Sequence, residues 1–176
     1  MKIQVVVMGI VILLIGISYS GCVEESQRRF GNMKLSSPAF ENEGIIPTEY
    51  TCDGADVSPP LIFSDVPENT TSLALIMDDL DAPGGTFVHW LVWNISANIS
   101  GFSKGEDIVF PQGMNDFGTQ KYSGPCPPSG THRYFFKLYA LDTTLALQEG
   151  STKSQLEETI SGHIIEGAEL IGTYSR

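Results

Sequence analysis

The chain is poor in basic residues and in cysteine, and it has no long hydrophobic run. Ten Lys and Arg stand against 21 Asp and Glu, giving a formal charge of −11. A nucleic-acid partner needs the opposite sign, because such binding neutralises phosphates with cations. The same deficit argues against a broad attraction to anionic lipid. The three cysteines, Cys22, Cys52 and Cys126, include no C-x-x-C pair, which excludes a ribbon-type zinc site. Neither H-E-x-x-H nor H-x-E occurs, so no spacing in the sequence itself fixes a metal. No serine stands in a context that marks a nucleophile; Ser129 and His132 are close in sequence, but proximity is not a triad. The longest apolar run, Val5 to Ile17, has 13 residues. A permanent bilayer span needs roughly 18 to 20. No internal repeat is visible.

What is present begins with an address. Residues 1–22 read MKIQVVVMGIVILLIGISYSGC, with Lys2 as a sparse positive start, the apolar run, and then small residues before a cysteine. This is the pattern of a signal peptide covering 1–21. Ser20-Gly21-Cys22 resembles the end of a lipobox, with Tyr19 standing where an aliphatic residue is usual. The reading adopted is cleavage and lipidation of Cys22, with simple cleavage and an uncleaved anchor as the alternatives. All three export the domain. Loss of Lys2 with the leader takes the formal charge from −11 to about −12. Residues 22–32 are polar and charged with little to bury, a flexible tether that carries the adjacent pair Arg28 and Arg29. The folded domain is expected over 33–176. Asn69, Asn94 and Asn98 begin N-x-[ST] tripeptides, which are frequent by chance.

Within that domain, 18 Gly, 10 Pro and 41% apolar residues suit a β-rich fold with many turns. Ser72 to Met77 and Phe87 to Ile95 read as buried strands. Arg133 to Leu141 reads as a strand whose Lys137 marks a less buried side. Gly167 to Tyr174 reads as the last strand. One helix is expected from Lys153 to Ser161, with Leu156 and Ile160 on one face, Ser151 or Thr152 as cap, and Gly162 as stop. The segment Gly101 to Gly130 carries Pro, Gly, Asn and Asp throughout, and long irregular loops in compact domains are usually functional. Outside the membrane, Cys52 and Cys126 are candidates for a disulfide, the alternative being two buried thiols.

Three separated motifs then converge: CDGADVSPPL at Cys52 to Leu61, DDLDAPGGTFVHW at Asp78 to Trp90, and GPCPPSGTHRYFFKLYALD at Gly124 to Asp142. With the NDFG turn at Asn115 to Gly118 and the Gly162-His163 pair, the chain resembles the phosphatidylethanolamine-binding protein family. The nearest likeness is to its bacterial and archaeal branch, labelled Raf-kinase-inhibitor-like. The resemblance implies a mainly β fold, an antiparallel β-sandwich with one or two short helices, and a small cavity at one end that binds phosphate-like anions or phospholipid head groups. It implies a ligand set of Asp79, Asp81, Pro83, His89, Pro128, His132, Tyr134 and His163, with Pro127 shaping the loop between. Arg133 is read as a structural ion-pair partner.

The chemistry suits that role. An imidazole beside a carboxylate becomes a cationic double donor near neutral pH, so Asp79 and Asp81 are expected to raise the pKa values of His89 and His132 above about 6.5. Bare carboxylates would repel an anion, so they belong behind the rings. On their own residues, the aspartates read as strand-end turn residues, His89 as a core histidine, and His132 as a strand start. The reading adopted is a membrane-anchored binding protein, not an enzyme, with no cofactor. Its partners are a small phosphate-like anion or lipid head group and the membrane. The alternative is inhibition of an exported protease or another protein partner. A 2-His-1-carboxylate metal enzyme ranks below both.

Overall fold

The structure, a computed structural model, describes residues 31–176. The leader, Cys22 and most of the tether lie outside the described residues. Among the described residues, eight strands form two sheets. The smaller sheet has the order β1 (Lys34–Ser36), β3 (Leu61–Ser64), β6 (Gly101–Phe102). The larger has the order β2 (Gly44–Ile45), β8 (Ile164–Ser175), β7 (Thr131–Leu141), β4 (Ser72–Asp79), β5 (Phe87–Ser96). Among the described residues there is also one helix, α1, over Lys153–Ile160, and one 3-10 turn over Thr48–Tyr50. The expected all-antiparallel sandwich needs one correction: β2 pairs with β8 in parallel. That pairing is two residues long and closes an edge.

Strand β4 explains the layering. It lies between β5 and β7, and all eight of its residues are buried. Leu73, Leu75 and Met77 face the core between the sheets, while Ala74 and Ile76 face a second cluster under α1. A strand covered on both faces reads as a continuous apolar run rather than an alternating one. Because side chains alternate, the consecutive Asp78 and Asp79 at its end go to opposite faces. Helix α1 is capped by Thr152, whose side chain and backbone exchange hydrogen bonds with Gln155. It docks through Leu156 and Ile160, each buried side chain worth roughly 1.5 to 3 kcal/mol. The chain leaves the helix at Gly162, where φ is +84°.

Lys137 lies on the less buried face of β7, as expected, and is nevertheless paired there. Its Nζ lies 2.8 Å from Oδ1 of Asp78, and Lys153 at the start of α1 bonds the other oxygen of the same carboxylate at 2.5 Å. Asn94 is occupied too: its side chain accepts from Leu145 N at 2.7 Å and donates to Leu145 O at 3.0 Å, which removes it as a free sequon. Asn69 and Asn98 are exposed.

Candidate functional site

The expected ligand residues separate into those the fold brings together and those it does not. Asp79 at the end of β4 and Tyr134 of β7 are register partners, and His132 lies two residues before Tyr134 on the same face. His89 joins them through an irregularity. Met77 faces Trp90 and Asp78 faces Val88, so the pairing skips His89, which is the extra residue of a β-bulge. Bulges re-aim side chains next to sites. Here the bulge lets His89 and Trp90 both serve the inter-sheet side, with the His89 ring 5.2 Å from Tyr134 and edge-on to it.

Both imidazoles are buried, and both are held by Nδ1. His132 Nδ1 is 2.7 Å from Oδ2 of Asp79, and His89 Nδ1 is 2.7 Å from the carbonyl of Ser123. A carboxylate and a carbonyl only accept, so each Nδ1 carries hydrogen and Nε2 remains as each ring's other hydrogen-bonding atom. Asp79 is itself buried, its second oxygen accepting from Asp81 N at 2.8 Å. The expected carboxylate behind the ring is therefore Asp79 at His132. At His89 the expected upward pKa shift reverses: burial pushes the imidazole below its ordinary value, outweighing the Ser123 carbonyl and the Asp79 charge. The Tyr134 phenol, by contrast, is pushed up, first by burial and then by the Asp79 charge. The Cys126 amide offsets this in part, yet Tyr134 Oη is buried without a hydrogen bond of ordinary geometry.

Asp81 lies beside the site and is otherwise engaged. Its two oxygens take a fork from Arg133, Nε at 2.8 Å and the terminal nitrogen at 2.7 Å, and the Arg133 amide at 3.0 Å. That fork holds its carboxyl down at about 2. Pro83 is exposed in the turn after Asp81, and Pro128 is exposed while Pro127 is buried. His163 is a correction. It pairs with Asp142 at 2.8 Å, just past the end of β7, whereas His132 is at the start of that strand. Ten residue steps along the strand separate His132 from Asp142, which is about 33 Å.

The hub of the site escaped the sequence reading. Asn115, in the NDFG turn, is buried, and its amide nitrogen reaches the carbonyls of His89 and Lys121 and the hydroxyls of Thr119 and Ser123. Its oxygen accepts from Phe117 N and from Thr119 N and Oγ1. The loop that supplies the Ser123 carbonyl is thus fastened to the His89 bulge. On the other side, Cys52 and Cys126 form a disulfide with Cα atoms 5.5 Å apart, and Gly124 N donates to Asp56 at 2.7 Å. The G-x-S-x-G spacing occurs as Gly101-Phe102-Ser103-Lys104-Gly105. No helix follows it, and Ser103 is exposed with its amide on Glu106, so it is not a nucleophile elbow. Among the described residues, no group of three His, Cys, Asp or Glu side chains is arranged to hold a metal ion.

Comparison with known proteins meets this geometry. The profile described as phosphatidylethanolamine-binding protein matches residues 36–175. The chain belongs to this family. A UPF0098 protein of Methanothermobacter thermautotrophicus is 48% identical over 150 residues, covering 82% of this chain and 99% of the relative. The crystal structure of the phosphatidylethanolamine-binding protein homolog CT736 from Chlamydia trachomatis superposes with a TM-score of 0.80 at 47% identity, covering 82% of this chain and 97% of that one. E. coli YbcL, described as a new member of the mammalian family, gives 0.77 at 29% identity, covering 83% and 99%. The mainly β, two-sheet fold and the family of this phosphatidylethanolamine-binding-protein domain are thereby shown.

Proposed function

We propose that this chain is an exported, lipid-anchored binding protein whose His89, His132 and Tyr134 hold a phosphate-like anion, either free or as a phospholipid head group. The observation that carries the reading is the convergence of two imidazoles, each tied by Nδ1 to a buried acceptor, with a buried phenol whose hydroxyl makes no ordinary hydrogen bond. Buried polar groups are normally paired, and a group left over at a site calls for a partner. With hydrogen on each Nδ1, Nε2 donates only from a protonated ring, so Nε2 of both rings and Oη of Tyr134 are three donors for one tetrahedral anion when each imidazole holds a second proton. His89 needs that proton from the ligand, because burial keeps it neutral in the empty protein. The phosphate monoanion, dihydrogen phosphate or a singly charged phosphate ester, supplies it.

Export and anchoring rest on the leader pattern and on Cys22. The test is a crystal grown in phosphate or cacodylate, with native mass spectrometry for a co-purified ligand. A tetrahedral anion within hydrogen-bonding distance of both histidines and Tyr134 is expected. An anion that binds only elsewhere contradicts the reading.

A further inference from the structure

The rim of the site is apolar, in a way that inorganic phosphate does not need. Leu80 and Phe117 are 42% and 47% exposed, and they sit on the two loops that border the site, the turn after β4 and the NDFG turn. Phe117 is edge-on to Phe87 at 4.8 Å and to His89 at 5.5 Å, and Phe87 lies 5.3 Å from His89. The rings form a continuous path from solvent to the buried imidazole. Phe117 is not a loose side chain on a loose loop: its amide donates to Oδ1 of Asn115 at 3.1 Å, and Asp116 exchanges hydrogen bonds with Val88 through N at 3.0 Å and Oδ2 at 2.7 Å. A half-exposed ring already fixed in place loses little freedom when a second ring packs on it. The formal charge of −11 meanwhile disfavours ligands carrying several phosphates.

Resting on the anion-site reading above, we infer that the ligand is a phosphomonoester with a flat apolar substituent, and that Phe117 is the residue that recognises the substituent. The phosphoryl oxygens take the imidazoles and the phenol. The ring of the ester packs offset or edge-on against Phe117.

Phenyl phosphate and methyl phosphate carry the same phosphoryl group and differ in the ring alone, so their affinities for the full chain in detergent test this directly by calorimetry. Phenyl phosphate is expected to bind about threefold to tenfold more tightly, the range an aromatic pair supplies. In Phe117→Ala that ratio falls close to one. In Phe117→Trp it persists, and in Val109→Ala, altered at an exposed apolar residue on another loop, it keeps its wild-type size. Equal affinity for the two esters in the wild type, or an undiminished ratio in Phe117→Ala, overturns the inference while inorganic phosphate binding leaves the anion site standing. Failure of phosphate and both esters to bind overturns the anion site and this inference together.

Discussion

At the scale of single residues, the site depends on two features with no local signature. His89 reads from its neighbours Val88 and Trp90 as one more strand residue, and only its pairing across to Met77 and Asp78 makes it a bulge. Asn115 reads as a turn residue in NDFG, which it is, but its amide also fastens the Ser123 loop to the His89 backbone. Cutting that side chain to alanine strands several buried carbonyls and amides at once. Asn115→Ala is expected to cost on the order of 3 kcal/mol, since each unsatisfied buried group costs about 1 to 3. Urea unfolding of the variant checks this. A loss below about 0.5 kcal/mol, the range of an ordinary surface substitution, contradicts the hub role. Asp79 and Asp81 show why motif position alone is insufficient: two residues apart, one holds an imidazole and the other a guanidinium.

At the scale of elements, strands and helix were legible because their signals are local. The apolar runs of β4 and β5 and the pair Leu156 and Ile160 place these elements within about two residues of their observed ends. Which partner a charged residue takes was not legible. Asp78 is fully buried on the helix side, where Lys137 from β7 and Lys153 from α1 share its carboxylate, and Lys153 also lies 3.6 Å from Glu157. Nothing within β7 announces that Lys137 has a partner on the neighbouring strand. Removing the shared carboxylate leaves two ammonium groups close together without their buried counter-charge. Asp78→Ala is therefore expected to destabilise by about 3 to 5 kcal/mol, and Lys153→Met by less, since its partner keeps Lys137. Calorimetric melting of both variants measures the order; equal and small losses contradict a cluster that pins α1 to the sheet.

At the scale of the whole molecule, Met33, where the folded domain begins, and the site lie at opposite ends of the large sheet. Met33 N donates to Glu166 near the start of β8 at 2.5 Å, whereas His132 pairs with Tyr174 near the strand's end. The intervening strand is about 26 Å long. Under the proposed anchoring, a lipid on Cys22 would attach on the Met33 side, the end that lacks the site. Cys22→Ser is expected to move the protein from the detergent phase to the aqueous phase while leaving its affinity for soluble phosphate unchanged. Phase partitioning of wild type and variant decides it: a wild type that is already aqueous, or a variant that processes and partitions like the wild type, contradicts lipid anchoring. The family was legible from three motifs. His163 was misplaced because Gly-His adjacency carries no information about which end of the sheet it occupies.

The central claim is an anion held by histidines, and its pH dependence is the most direct test. Above the pKa values of both His89 and the phosphate, the complex takes up a proton that neither free partner carries, so affinity falls with rising pH by up to about tenfold per unit. A proton on the phosphate or on the imidazole gives the same count and the same sign. Protonation of a metal-binding pair would act in reverse, expelling the metal as pH falls. A charged hydrogen bond is worth roughly 1.5 to 3 kcal/mol, so His132→Ala is expected to weaken binding about tenfold or more. Calorimetric titration of wild type, His89→Ala and His132→Ala with phosphate and phosphoethanolamine, between about pH 5 and 8, is the measurement. The account predicts affinity that rises toward the acid end and drops in both variants; affinity that rises with pH, or that neither substitution changes, contradicts it.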